Sequence, residues 1–136
     1  MRQSIEDIKL KKELAVKEKL LILAIDDKPE LLATITEMLE GLYTILGATS
    51  YSSTVAILER RCPDLFLLDI EMPELDGYDI AALIRMDERF KNTPILFLTG
   101  NASKTSVVKA VECGGDDYII KPVRRGVLLR KIRQHL

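Results

Sequence analysis

The chain has 136 residues, 20 Lys and Arg against 21 Asp and Glu, a net charge of -1 and 47% apolar residues. That is the profile of one globular domain able to fold without disulfides or a structural metal, and its near-neutral charge excludes a basic field for holding nucleic acid. The longest apolar run, Leu20 to Ile25, is far short of the roughly 20 residues of a membrane span, and with no apolar signal-peptide core after Met1 a cytoplasmic chain is expected.

Residues 1–19 hold six basic and four acidic residues with no Gly or Pro, a composition that favours helix. Ser4 and Asp7 have the spacing of a capping box, and Ile5, Ile8, Leu10 and Leu14 are scattered apolar positions. Two readings stay open: a solvated leader or linker, or a helix that docks on the domain or pairs with a second copy. The domain proper is expected over residues 20–136.

From Leu20 onward, short apolar runs alternate with stretches of helical spacing, as in a βα chain. The runs are 20–25, 43–47, 65–68, 95–98 and 117–120. They are too short for helices and mostly apolar on successive residues, as strands covered on both faces should be. The clearest helix has Leu31, Ile35, Met38, Leu39 and Leu42 on one stripe, Pro29 near its first turn and Gly41 near its end. Further helices are predicted over about 52–61, 77–88, 104–113 and 124–135, the last with Leu128, Leu129, Ile132 and Leu136 on one side. Parallel strands joined by right-handed crossovers make a three-layer α/β sandwich.

Ligands in such sheets bind beyond the carboxyl ends of the strands. The first run ends in Asp26 and Asp27, the third in Asp69 and the fourth in Thr99, while Lys121 and Pro122 follow the fifth. If the first and third strands are neighbours, the three carboxylates converge, and each pair about 5 Å apart repels by roughly 3 kcal/mol at an effective dielectric near 20. Protons, Lys121 or a divalent cation could neutralise them, and an all-oxygen cluster suits Mg²⁺ or Mn²⁺. Aspartyl phosphate chemistry needs an attacking carboxylate, cations on the phosphoryl oxygens and a hydroxyl or N–H donor. Asp69, the metal with Lys121, and Thr99 with the Gly100 amide could supply these.

Each residue also has an ordinary reading. Asp26 and Asp27 could cap a helix, Asp69 could start the turn at Met72 and Pro73, Thr99 could cap the helix near 104, and Lys121 could be solvated. Cys62 and Cys113 lack any zinc-ligand spacing, also with His135, and are given no role. Independent turn residues, however, have no reason to fall at the carboxyl ends of several strands.

Asp26-Asp27, the stretch Leu65 to Asp79 (LFLLDIEMPELDGYD), Thr93 to Gly100 (TPILFLTG) and Gly114 to Pro122 (GGDDYIIKP) occur in order. With that set, the chain resembles the receiver domain of two-component response regulators over about residues 20–136. The resemblance implies a flavodoxin-like, doubly wound (βα)5 sandwich with parallel sheet order 2-1-3-4-5. It implies that Asp69 accepts a phosphoryl group from the phosphohistidine of a histidine kinase or phosphotransfer protein. Asp26, Asp27, Asp69 and the backbone carbonyl of Glu71 would hold Mg²⁺, and Lys121 would bind the phosphoryl oxygens. Thr99 would turn to the phosphate, helped by the Gly100 amide, and Tyr118 would move inward behind it. The readout surface would be about 104–135, the Lys121–Pro122 bond would be cis, and Glu71 and Asn101 would tune the phosphate lifetime.

Three positions depart from the family pattern: Gly100 and Gly115, where Ala is common, and Val123, where Phe is usual. None removes a chemical group from the expected site. Such a domain turns over only its own phosphate and is not an enzyme on a separate substrate. An alternative is a pseudo-receiver that signals without phosphate, against which stand the five intact site residues. A haloacid dehalogenase-type phosphatase needs an Asp where Glu71 stands, and a flavodoxin needs a Ser- and Thr-rich phosphate loop where Asp26 and Asp27 stand. No output domain follows the last predicted helix, so two readings stay open: a stand-alone receiver that docks on other proteins, with homodimerisation through the readout face as one form of docking, or a receiver cut from a longer hybrid kinase or regulator with residues 1–19 as its former linker.

Overall fold

The computed structural model describes residues 4–9 and 20–136. The larger stretch forms β1 (Leu21–Ile25), α1 (Pro29–Leu39), β2 (Thr44–Ala48), α2 (Tyr51–Leu58), β3 (Leu65–Asp69), α3 (Gly77–Met86), a 3-10 turn (Glu88–Phe90), β4 (Ile95–Thr99), α4 (Lys104–Glu112), β5 (Asp117–Ile120) and α5 (Arg125–His135). Residues 5–9 are helical. Ser4 Oγ accepts the Asp7 N–H at 3.1 Å, one half of the expected capping box. Ile5 and Ile8 are exposed, while Leu10 and Leu14 lie outside the described residues. Among the described residues, no helix is long and apolar enough to cross a membrane.

All strand pairs are parallel, in the order β2-β1-β3-β4-β5. Alternation along the strands sends side chains to two cores. Leu23, Ile25, Phe66, Leu68, Ile95 and Phe97 meet Tyr78, Ile80, Ala81 and Ile84 of α3 and Ala110 of α4, with Ile57 and Leu58 of α2 packed alongside. Ile22, Ala24, Leu65, Leu67, Leu96 and Leu98 meet Ile35 and Leu39 of α1 and Leu128, Leu129 and Ile132 of α5. The expected three layers are therefore present: α2, α3 and α4 on one face, α1 and α5 on the other. Each fully buried Leu or Ile contributes roughly 1.5–3 kcal/mol of apolar transfer.

Every residue of β1, β3 and β4 is buried. β2 and β5, at the sheet edges, are only partly covered, and Ile120 is 51% exposed. An apolar run thus marks a strand here, but full coverage holds only for the interior three.

Helix ends follow local capping chemistry. Pro29 occupies the first turn of α1. Ser50 and Ser53 form a capping box at α2, Asp76 caps α3 through the Asp79 N–H, and Ser103 caps α4 through the Ser106 N–H. The helix predicted to 88 stops at Met86 because Asp87 leaves helical backbone geometry and caps the following turn through the Arg89 N–H. That turn delivers Phe90 edge-on to Phe66, with ring centroids 5.3 Å apart. The helix predicted over 52–61 ends at Leu58, with Glu59 and Arg60 in a turn.

Arg85 binds the outer ends of three segments together. Its guanidinium donates to the carbonyls of Phe90, Thr93 and Gly114 and to Asp116 at 2.9 Å. At Gly115 a Cβ would lie 2.3 Å from the Phe97 ring, so the departure from Ala reflects a lack of space beside β4.

Candidate functional site

β1 connects outward to β2 in one direction, and β3 continues to β4 in the other, so the sheet reverses winding between β1 and β3. This is where a doubly wound sheet opens a crevice at its carboxyl edge. Asp26 follows β1 and is fixed by its N–H donating to the Ala48 carbonyl at 3.0 Å, while Asp69 ends β3. Both are fully buried. Carboxylate oxygens of Asp26, Asp27 and Asp69 all lie within 4.8 Å of one another, so the convergence expected from sequence is present.

Lys121 closes the cluster from β5. Its N–H donates to the Thr99 carbonyl at 2.7 Å, and its Nζ lies 2.9 Å from Asp69 Oδ1 and 3.4 Å from Asp26 Oδ2. The Lys121–Pro122 bond is cis, as the resemblance implied. Asp26 Oδ1 accepts the Lys28 N–H at 2.8 Å, and Asp69 Oδ1 accepts the Glu71 N–H at 3.3 Å. Among the described residues, two buried side-chain oxygens have no partner: Asp27 Oδ1 and Asp69 Oδ2.

Burial pushes the Asp26 carboxyl above its ordinary range, and the Asp69 charge adds to this against the Lys28 N–H and Lys121. Burial alone would lower Lys121, but the hydrogen bond and charge of Asp69, with Asp26, outweigh it and hold the ammonium above its usual value. A buried carboxylate oxygen without a donor is costly unless a cation reaches it. An all-oxygen set at this spacing fits a hard divalent cation that keeps some of its water.

Thr99 ends β4 beside the cluster and is nearly buried. Its hydroxyl donates to the Asn101 carbonyl at 2.7 Å and accepts the Asn101 N–H at 3.0 Å. It is thus bonded within its own loop and does not cap α4, the cap being Ser103. Gly100 follows directly, and a Cβ placed there would sit 3.8 Å from Glu71 Oε1, so the two loops face each other across the crevice. Tyr118 is half-buried in β5, paired in register with Phe97, with Lys131 Nζ 5.1 Å from its ring centroid.

Two contributors were not foreseen. The Lys28 N–H is one. Gly77 is the other: its N–H donates to the Ile70 carbonyl at 2.8 Å, and a Cβ there would lie 2.3 Å from the Asp69 carbonyl oxygen. The start of α3 is thus pressed onto the end of β3, which holds Asp69. The Asp76-Gly77 pair, a capping residue followed by a residue without Cβ, was the available signal.

The comparisons agree with this geometry. Over 115 residues the chain is 35% identical to a probable cyclic di-GMP phosphodiesterase of Vibrio cholerae, covering 85% of this chain and 26% of that protein. It is 39% identical over 105 residues to the sensor histidine kinase CheAY of Helicobacter pylori, covering 75% of this chain and 13% of the relative. The chain therefore spans far less than two-thirds of the length of these relatives. The structure of Vibrio cholerae chemotaxis protein CheY4 superposes with a TM-score of 0.83 at 24% identity, covering 86% of this chain and 98% of that one, which speaks to the fold. A family model described as the response regulator receiver domain matches residues 22–133. On that match, joined to the sheet order and the acidic crevice, the chain belongs to the response regulator receiver domains of two-component signalling.

Proposed function

We propose that the chain takes a phosphoryl group onto Asp69 from the phosphohistidine of a histidine kinase or phosphotransfer protein, and that the modified domain changes its affinity for a protein partner. The observation that carries this is Asp69 Oδ2: buried, without a hydrogen bond, on a carboxylate whose other oxygen is held by Lys121. Asp26, Asp27, Asp69 and the Glu71 carbonyl would hold Mg²⁺, with Mn²⁺ as a substitute. Three carboxylates and one ammonium sum to a formal -2, which one divalent cation cancels; bound there, it would supply charge neutralisation toward an incoming phosphoryl group.

Lys121 orients Asp69 through Oδ1, leaving Oδ2 to form the new bond to phosphorus as the bond from phosphorus to the donor nitrogen breaks, its electron pair staying on the imidazole. Lys121 then shares its ammonium with the phosphoryl oxygens. The Thr99 hydroxyl turns from the Asn101 carbonyl to the phosphoryl group, the Gly100 amide adds a second donor, and Tyr118 moves inward into the space this leaves. Glu71 and Asn101, flanking the crevice, tune how water reaches the phosphoaspartate. The added charge favours a conformation already accessible to the domain, and residues 104–135 carry the change to a partner or a second copy. A relative named as a sensor histidine kinase supports the phosphorelay setting.

The test is incubation with acetyl phosphate. Labelling that requires Mg²⁺ and disappears in Asp69→Asn is expected; labelling that survives the substitution or needs no divalent cation contradicts the proposal.

A further inference from the structure

Asp117 opens β5 and its carboxylate faces α5, where it meets three donors. Oδ1 accepts from Lys131 Nζ at 2.7 Å and from the Tyr118 N–H at 2.8 Å, and Oδ2 lies 3.1 Å from His135 Nε2. All three side chains are mostly buried, with 19% of Asp117, 21% of Lys131 and 25% of His135 exposed. Burial pushes the Asp117 carboxyl up, but the bonds from Lys131, His135 and the Tyr118 N–H outweigh it and keep the group ionised. The Lys131 ammonium is thereby fixed in place, 5.1 Å from the Tyr118 ring centroid, within cation–π range.

The Tyr118 ring has space on both sides of its strand. A groove of about 460 Å³ between β5 and α5 is lined by Tyr118, Val127, Arg130 and Lys131. A smaller one of about 120 Å³ between α4 and β5 is lined by Val107, Ala110, Gly115 and Tyr118. On the α4 side the ring packs against the buried cluster that holds Phe97 and Ala110. That packing and the attraction of the anchored ammonium both act on where the ring rests.

We propose that Lys131, held by Asp117, is a positioning residue for the switch: it seats the Tyr118 ring toward α5 and so sets how readily the ring leaves for its inward position. The inference rests on Tyr118 serving as the switch aromatic, as proposed above. An inward ring gives up the cation, so Lys131 biases the resting domain toward its inactive arrangement. Removing the charge while keeping the aliphatic stem lowers that bias. Arg retains a cation able to stack on the ring, so it preserves the bias.

The test uses the full chain labelled with fluorotyrosine, titrated with beryllofluoride in the presence of Mg²⁺ and followed by ¹⁹F NMR. Tyr118→Phe assigns the Tyr118 resonance by its loss. Lys131→Met is expected to shift that resonance in the free protein and to raise beryllofluoride affinity about two- to fivefold, the equivalent of one exposed cation–π contact. Lys131→Arg should match the parent. In a Tyr118→Phe background, where the ring remains, the Lys131→Met gain persists, and in Tyr118→Ala it vanishes. An unmoved resonance and unchanged affinity in Lys131→Met, or a gain equally large in Tyr118→Ala, would overturn the inference. A parent protein that binds no beryllofluoride contradicts the phosphoacceptor reading, and the resonance shift in the free protein then still decides the role of Lys131.

Discussion

Lys121 Nζ lies 2.9 Å from one oxygen of Asp69 and leaves the other buried without a partner. One cation thus fixes the orientation of the carboxylate and leaves its second oxygen open. In Lys121→Ala the three clustered carboxylates lose their only ion-pair partner among the described residues. The variant should still bind Mg²⁺ and gain more thermal stability from it than the parent does, while the beryllofluoride-induced conformational change is lost. Melting curves with and without Mg²⁺ and a partner-binding titration read both effects; an equal Mg²⁺ shift in parent and variant would count against this role of Lys121.

Thr99 holds its own loop through the Asn101 carbonyl and N–H. Thr99→Ala should accept phosphate on Asp69 yet respond weakly in its α4 backbone, whereas Thr99→Ser, keeping the hydroxyl, should respond nearly as the parent does. Hydrogen exchange across 100–112 after addition of beryllofluoride separates the two. Equal responses would remove the hydroxyl from the switch.

Gly77 presses the start of α3 onto the end of β3, and any Cβ there meets backbone atoms of Asp69 and Ile70, which cannot rotate away. Gly77→Ala should lower stability by about 1–3 kcal/mol, the usual cost of forcing extra volume into a packed site. It should also slow acetyl phosphate labelling by displacing Asp69. Urea denaturation and labelling rates measure the two; a variant with unchanged values for both would show that the contact does not constrain the site.

Much of this was readable from residue order, because short apolar runs and the residues at their ends are local signals. Asp26, Asp27, Asp69 and Lys121 were each visible at a strand terminus, and their convergence follows once β1 and β3 are neighbours. Gly77 against Asp69 and Arg85 reaching Gly114 were not readable, because each is a contact between distant segments that leaves no periodicity. The exposure of Ile120 was missed for a related reason: an apolar run looks the same at the edge of a sheet as in its centre. The resting bond of Thr99 to Asn101 was hidden because a hydroxyl has several backbone partners in reach, and only the loop geometry selects one.

Asp117 gives a dependence on pH. Its carboxyl is held below the ordinary carboxylate range in the folded chain, so the folded state favours the ionised form. That contribution is complete above the unfolded value, roughly 3.9, and is lost as pH falls through the lower folded value. Asp117→Asn should therefore cost about 1–3 kcal/mol at neutral pH, typical of hydrogen bonds to a charged group, and the difference should close on acidification below pH about 3.9. Denaturation curves across that range check it; a gap that widens toward acid would reverse the sign.

The most direct measurement is the chemical address of the phosphoryl group. A phosphohistidine donor is mixed with the chain and Mg²⁺, the acyl phosphate is reduced with borohydride, and the product is mapped by peptide mass spectrometry. Reduction should convert Asp69 alone to homoserine, with none formed when Mg²⁺ is withheld. Conversion at Asp26 or Asp27, or a phosphate that stays on His135 through the reduction, would contradict Asp69 as the acceptor.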